Sequence, residues 1–366
     1  MSQLLANLER QLAGTVDPET RGELIARIAA YLGRVGRFDE AKRIIDELRQ
    51  KHANSHSGRV TLWIMLAEGL IYHFAELNPK AIDRVSRALL LGSAMAYRPI
   101  VALASAWKAH IQFQSGEFGA MVEALNLSAS NSSEADLDAI TRRSIVLCNS
   151  YMICGDRPTA QKWFEVARRC AVQNGDQASL EALIYNRAAF LTTWLRAENC
   201  VAPIDGESLR SVRMEIASAV NFQNLTGISA LTVHIHLWDA RQHLLSGDYG
   251  AAIEKLNAIR QDLPPSDVSF SRAYIDLEVC YCQVRLGLID AAWPVFSELP
   301  VLDLEKLDAD EQLVATWMRL GMAKRDDRFG DVERLEKEFE RNSIRYSEYK
   351  GGLVSSLRNL NAENLQ

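Results

Sequence analysis

The residues with the clearest chemical capacity lie on one predicted helix, where His236, Asp239 and His243 follow at i, i+3 and i+7. Such spacing places three side chains on one helix face, and imidazole nitrogens and carboxylate oxygens are both metal ligands. The two histidines are two helical turns apart, however, and the sequence has no H-E-x-x-H motif. We therefore expect no metal site and interpret these histidines as packing or surface residues.

The cysteines offer no better site. Cys280 and Cys282 are two residues apart and point to different sides of a helix, which makes a poor chelate. Most of the six cysteines lie in apolar stretches with helical periodicity, and their spacing shows no disulfide framework. We expect buried free thiols in a cytoplasmic protein.

The sequence contains no recognisable catalytic motif. It has no G-x-x-x-x-G-K-[ST], no G-x-G-x-x-G after a strand and no G-x-S-x-G elbow. Acidic pairs such as Asp136 with Asp138 fall at predicted helix starts, where carboxylates favour the helix dipole. We expect no cofactor and no enzyme, although an enzyme that uses polar groove residues, for example a phosphatase-like one, stays open.

Bulk properties exclude two classes of partner. The formal net charge is −6, which disfavours a general affinity for nucleic acid or for an anionic membrane. The longest apolar stretches hold about ten residues, too few to span a bilayer. The first residues carry Glu9 and Arg10 within their apolar run, so we expect no signal peptide.

The organisation of the chain is indicated by a recurring turn. It reads Gly36-Arg37-Phe38-Asp39-Glu40-Ala41 and returns near Gly116, Gly155, Gly247 and Gly287, with a weak last copy near Phe329. With Ala81 included, equivalent small or apolar residues stand at 41, 81, 121, 160, 252, 292 and 332, at intervals of 40, 40, 39, 92, 40 and 40. A period of this size predicts stacked helical hairpins.

Between the turns, apolar residues recur every three or four positions, and no stretch alternates as a strand would. The pattern predicts an N-terminal helix over 1–21, first repeats over 22–196 and later repeats over 209–343. The long interval holds an insertion loop over 197–208, and residues 344–366 are expected to form a C-terminal capping helix.

These features resemble the tetratricopeptide repeat. The turn supplies a small residue, an aromatic and an acidic-Ala pair, and the family's apolar packing site is matched by Ile45, Val85, Leu125, Phe164, Leu256 and Phe296. The 40-residue period is similar to the extended repeats in the sensor region of the maltose-regulon activator and of bacterial peptide-responsive regulators. The resemblance implies an all-α fold, a single α-solenoid of about eight hairpins in a right-handed superhelix.

The resemblance also implies a concave groove lined by the first helix of each hairpin. Its middle rungs would be polar, because the groove positions of successive units hold amide, imidazole, guanidinium and phenol groups. Asn side chains can both donate and accept, which suits a peptide backbone or a terminal carboxylate. The expected binding residues are His110, Arg142, Asn149, Asn186, His234, Arg241, Tyr274 and Tyr281.

Two binding functions are favoured by the sequence. The first is a non-enzymatic adaptor or scaffold that holds a partner protein or peptide in the groove. The second is a regulatory sensor that binds a signal peptide or small ligand and gates a separate output protein. Self-assembly through the end faces of the array is a further alternative.

Overall fold

The computed structural model describes residues 2–52, 57–76, 79–226, 232–262, 272–299 and 307–361. Within these ranges every regular element is a helix and no residue lies in a β-strand. The all-α class expected from the apolar periodicity is thus confirmed. The described residues divide into two compact units. Unit 1 comprises 2–151, 156–183 and 353–361, and unit 2 comprises 152–155 and the described residues of 184–352.

Unit 1 is a succession of helices, and from α1 to α7 each helix packs on the next along the chain. A core of large apolar side chains that are almost fully buried, such as Leu32, Leu66 and Ile100, runs between them. The helices are α1 (Gln3–Gly14), α2 (Pro18–Arg34), α3 (Phe38–His52), α4 (Gly58–Glu76), α5 (Lys80–Ala94), α6 (Arg98–Gln114), α7 (Phe118–Asn131), α8 (Leu137–Ile153) up to residue 151, α9 (Arg157–Asn174) and the first residues of α10 (Gln177–Asn199). Helix α2 packs on α3 and α4, α4 on α5, and α6 on α5 and α7.

The recurring turn joins the two helices of a hairpin. At Gly116, φ is +73°, and the other four turn glycines have φ between +77° and +81°. The N–H of Gly116 donates to the carbonyl of Phe113, and the next N–H, of Glu117, donates to the carbonyl of Gln112. This pair of hydrogen bonds requires a residue with left-handed backbone conformation, which glycine adopts without penalty. The pair also satisfies the last carbonyls of the first helix.

Unit 2 has its own core, formed where Leu237, Leu256 and Ile275 pack together. A second cluster includes Tyr281, Met318 and Phe329. The unit contains the rest of α10, α11 (Gly206–Thr226), α12 (Thr232–Leu245), α13 (Tyr249–Asp262), α14 (Arg272–Arg285), α15 (Ile289–Glu298), α16 (Ala309–Ala323), a 3-10 turn (Asp327–Phe329) and α17 (Val332–Leu357), whose last residues belong to unit 1.

Three segment boundaries differ from those expected. Helix α10 continues to Asn199 and α11 begins at Gly206, so the loop predicted over 197–208 is shorter. Helix α17 runs unbroken from Val332 to Leu357, because no strong helix breaker stands where the last repeat was expected to end and the cap to begin. The final residues of that cap, 362–366, lie outside the described residues.

The N-terminal segment expected as one helix over 1–21 is two helices. Helix α1 ends at Gly14, and α2 begins at Pro18. The carboxylate of Asp17 accepts hydrogen bonds from the backbone N–H of Thr20 at 2.8 Å and from its hydroxyl at 2.6 Å. This side-chain cap and a proline in the first helical position favour a fresh helix start. The break lets α1 leave the direction of α2.

Candidate partner-binding face

Helix α1 lies on a surface to which α2, α4, α6, α8 and the start of α10 contribute. These are the first helices of successive hairpins, and their surface is here called the A-helix face. Leu4 and Leu8 of α1 enclose a cavity of about 40 Å³ with residues of α2, α4, α6, α8 and the start of α10. Leu4, Leu5 and Leu8 are buried, whereas Glu9 and Arg10 are exposed. Helix α1 is therefore an amphipathic helix whose apolar side covers the A-helix face.

The first residues of α1 are fixed at the turn between α9 and α10. The backbone N–H of Leu4 donates to the carbonyl of Gly175 at 3.0 Å, and the Ser2 hydroxyl donates to the same oxygen at 3.2 Å. Gly175 has φ +67°, and a Cβ on it would lie 2.7 Å from the Cβ of Gln3. Only glycine combines this conformation with so close an approach of α1.

Beneath α1, the A-helix face carries two ion pairs. Arg34 Nη2 donates to both carboxylate oxygens of Asp176, at 3.1 and 2.9 Å, and to the hydroxyl of Ser179 at 2.7 Å. Burial opposes ionisation of Asp176, but the Arg34 pair and the bonds from Ser179 outweigh it, so the pKa of Asp176 is lowered. Arg27 lies 3.5 Å from Asp138, whose pKa burial raises.

A third guanidinium on this face, that of Arg142, packs against an aromatic ring. Arg142 is 3% exposed and stacks on Trp107, with 3.7 Å between the guanidinium carbon and the ring centroid. No salt bridge within 4.0 Å joins it to any acid that the structure describes. Burial, with repulsion from Arg34, lowers the pKa of Arg142 to about 9, so the group stays protonated at neutral pH. The three arginines and two aspartates at the cavity leave one uncompensated positive charge (3 − 2 = +1).

Two buried histidines extend this aromatic region. His110 packs edge-on to Trp107, with ring centroids 5.5 Å apart, and His73 packs edge-on to His110 at 5.4 Å. Burial, reinforced by the nearby Arg142 charge, lowers the pKa of His73 to about 4 and that of His110 well below its ordinary value. Both rings are neutral at physiological pH and act here as packing groups.

The predicted groove residues fall into both units. Three belong to unit 1, where His110, Arg142 and Asn149 are each at most 8% exposed. Of these, Arg142 lines the cavity beneath α1. Asn186 and His234 belong to unit 2 and are half-buried, and the His234 ring contacts Tyr185 at 5.9 Å between centroids. Whether any of them contacts a partner stays a prediction.

The other three predicted residues, Arg241, Tyr274 and Tyr281, are buried in unit 2. Glu278, which is fully buried, accepts a hydrogen bond from Arg241 Nε at 2.9 Å and another from Arg196 Nη2. Arg196 also donates to the Tyr274 hydroxyl at 3.3 Å.

The phenol of Tyr281 accepts a hydrogen bond from Arg285 at 2.9 Å, and its ring packs on Trp317. In this conformation Arg241, Tyr274 and Tyr281 stabilise the interior of unit 2, and they do not form an open polar surface.

Two of the residues that were considered as metal ligands and rejected, Asp239 and His243, have other partners. His243 lies 3.2 Å from Asp248, and Asp239 forms a salt bridge of 2.7 Å with Lys255. In the described ranges no group of three or more His, Cys, Asp or Glu residues is arranged to hold a metal ion. Nor does any helix described here have the length and apolar character needed to cross a bilayer.

The docking of α1 on the A-helix face was not predicted from the sequence. The signal was present, because Leu4, Leu5, Leu8 and Leu12 follow at i, i+1, i+4 and i+8, the apolar stripe of an amphipathic helix. The stripe predicts that the apolar side of α1 is buried against another element, but it does not predict which element. No protein-family model and no curated protein sequence matches this chain.

Proposed function

We propose that the protein is a non-enzymatic adaptor, a tetratricopeptide-like α-solenoid whose A-helix face binds an amphipathic helix of a partner protein. The single observation that carries this proposal is the seat of α1. The face already accepts a helix with leucines at i, i+1 and i+4, so its shape and apolar character suit such a ligand. A partner helix of the same pattern would take the place of α1.

The physical properties of α1 support an exchangeable helix. At 12 residues it is too short to be stable in water by itself, so its helicity depends on docking. Each buried leucine contributes roughly 1.5–3 kcal/mol, and ordering the segment offsets much of that gain. A longer partner helix that buries more apolar surface would bind more favourably than α1.

Competition from α1 is nevertheless strong. Only Thr15, Val16 and Asp17 separate α1 from α2, and a tether of this length holds a ligand at an effective concentration in the millimolar range. A partner helix present at micromolar concentration would therefore need a second contact, or a signal that loosens α1, before it could bind. In this proposal α1 sets the threshold for partner binding.

Charge adds a preference. The cavity has one uncompensated positive charge, which favours a partner helix with a carboxylate on its apolar flank. Helix α1 does not bring one there, because its acidic residue, Glu9, is exposed. The preference distinguishes the proposed partner from α1 itself.

Site-specific photo-crosslinking tests the proposal. A crosslinking amino acid at Leu103, which lines the cavity, is combined with Leu8→Asp to release α1, and captured peptides are identified by mass spectrometry. We expect a discrete amphipathic helix from one partner, and weaker capture when Leu8 is retained. The matched control places the crosslinker at Leu90, an α5 residue that is 69% exposed. Equal capture from both positions would refute a specific face.

The alternative function, a sensor that binds a small ligand, is favoured by a separate observation. Unit 1 contains a second, larger cleft of ligand size, and it shares no lining residue with the cavity beneath α1. A chain with such a cleft could couple ligand binding to partner exchange. The adaptor hypothesis remains the leading one, because the seat of α1 supports a specific kind of partner, an amphipathic helix.

A further inference from the structure

The second cleft of unit 1 has a volume of about 880 Å³, within the range of small-molecule sites. One wall is a face of α8, which includes Leu137 and Ile140, and the other is a face of α9. Trp163 and Val166, at i and i+3, give the α9 wall an apolar surface. The cleft therefore has room and apolar contact area for a ligand of moderate size.

The C-terminal residues close one end of this cleft. Leu357 and Leu360 line it, and Leu357 is 7% exposed. The Asn126 side chain holds this segment in place, because its Nδ2 donates to the carbonyl of Asn359 at 3.1 Å and its Oδ1 accepts from the N–H of Asn361 at 2.9 Å. The closing wall is thus a fixed part of unit 1.

Charge in the cleft is unbalanced. Arg143, Lys162 and Arg169 line it, and Glu134 is the one acidic residue among the described lining residues, which leaves two uncompensated positive charges (3 − 1 = +2). Lys162 and Arg169 are exposed and solvated, whereas Arg143 is 5% exposed. The cleft therefore favours an anion, and Arg143 is the buried positive charge that would bind it.

Arg143 is short of partners for a buried guanidinium. Its Nη1 donates to the Ser132 hydroxyl at 3.0 Å, its Nε has no acceptor, and no salt bridge joins it to a described acid. A guanidinium has five N–H donors, and a buried charge without a counterion is costly. The neighbouring Cys170 thiol does not supply the counterion, because burial raises the pKa of Cys170 and so favours the neutral thiol.

We propose that this cleft binds a small amphipathic carboxylate, an elongated apolar molecule whose head group pairs with Arg143. The planar guanidinium matches a carboxylate in a bidentate arrangement, and the apolar body lies against Trp163, Val166 and Leu357. A medium-chain fatty acid has this chemistry. The site lies apart from the A-helix face, and its ligand is distinct from the partner helix proposed above.

Displacement of a fluorescent fatty acid, 11-(dansylamino)undecanoic acid, from the full chain tests this proposal. We expect saturable binding that dodecanoate reverses and that uncharged dodecanol reverses at least tenfold less effectively, since a charge-assisted pair contributes at least that factor. Arg143→Met should weaken dodecanoate binding about tenfold or more and bring it close to that of dodecanol. The control Arg168→Met alters an exposed α9 residue that does not line the cleft and should leave both affinities unchanged.

Thermal unfolding separates loss of the site from loss of the fold. Replacing an unpaired buried cation by an apolar side chain of similar size should leave the ligand-free Tm of Arg143→Met at or above that of the wild type. Saturating dodecanoate should raise the Tm of the wild type and not that of the variant. Absence of saturable binding to the wild type, equal binding to Arg143→Met, or equal competition by dodecanol would each overturn the proposal.

Discussion

The backbone N–H of Leu4 donates to the carbonyl of Gly175 over 3.0 Å and so joins the first helix of the chain to the turn between α9 and α10. From this anchor point, α1 covers the part of the A-helix face formed by α2, α4, α6 and α8. The helix that a partner would replace is therefore anchored by its N-terminal residues and tethered by its C-terminal end. Loosening the anchor should release α1 without disturbing the face beneath it.

Gly175→Ala should release α1. The new Cβ would lie 2.7 Å from the Cβ of Gln3, so the start of α1 must shift. We expect trypsin to cleave after Arg10 about 5–30-fold faster, which corresponds to a loss of ~1–2 kcal/mol of docking free energy. The measurement is the cleavage rate by mass spectrometry.

Gly36→Ala is the matched control for this prediction. It introduces the same backbone strain at φ +81° but meets nothing within 4 Å. Cleavage after Arg10 should stay near the wild-type rate. Equal acceleration in both variants would attribute the effect to general destabilisation and not to the α1 anchor.

The hairpins were predictable because their signals are local. Each turn glycine and each apolar stripe is legible within one repeat, so Gly116 and the helices on either side of it follow from the sequence alone. The seat of α1 was not, because Leu4 and Gly175 are remote in sequence and neither residue type specifies the other. Arg142 shows the consequence, since its position on the first helix of a hairpin follows from the repeat, whereas its burial and its contact with Trp107 do not.

The burial of Arg241 and Tyr274 in unit 2 was not predictable for a related reason. Both were predicted as groove residues from their positions within the repeat, and that binding role stays a prediction. Glu278 forms salt bridges with Arg241 and with Arg196 of α10, but it does not occupy a groove position of the repeat. A polar position in one helix does not reveal a counterion in another.

Glu278→Gln should strongly destabilise unit 2. The substitution removes the salt-bridge partner that the buried Arg196 and Arg241 share, which typically costs about 3–5 kcal/mol. Urea denaturation followed by circular dichroism measures the change. Glu333→Gln breaks an exposed pair with Lys337 and should change the unfolding free energy by less than about 0.5 kcal/mol. Similar effects of the two substitutions would contradict a buried ion cluster.

His73 should make the wild type sensitive to acid. Its folded-state pKa is about 4, below the unfolded value of 6.5, because burial and the Arg142 charge disfavour the imidazolium. The unfolded chain binds the proton first, so this contribution to stability is complete above pH 6.5 and falls as the pH decreases toward 4. His73→Phe should flatten the fall in Tm between pH 7 and pH 5, and His236→Phe, at an exposed position, should not. Identical pH profiles for His73→Phe and the wild type would refute this role.

Asp310 should act in the opposite direction. Burial, with repulsion from Glu311 and Asp308, raises the pKa of Asp310 from 3.8 to about 7. The folded state holds this proton more tightly, so stability falls as the pH rises from 4 to 7 and is then level. Asp310→Asn should increase the unfolding free energy at pH 8 by on the order of 1–2 kcal/mol and change little at pH 4. A stabilisation that is the same at both pH values would exclude titration of Asp310 as its cause.

The most direct test of the central claim is a titration of a labelled peptide of residues 2–15, which contains α1, against the full chain with Leu8→Asp. Fluorescence anisotropy should show saturable binding to this variant, at least tenfold weaker binding to the wild type, and none when the peptide itself carries Leu8→Asp. These results would establish that the A-helix face accepts an amphipathic helix in trans and that α1 competes for it. If the variant keeps its helical circular dichroism and binds the peptide no better than the wild type does, the A-helix face is not an exchangeable binding site.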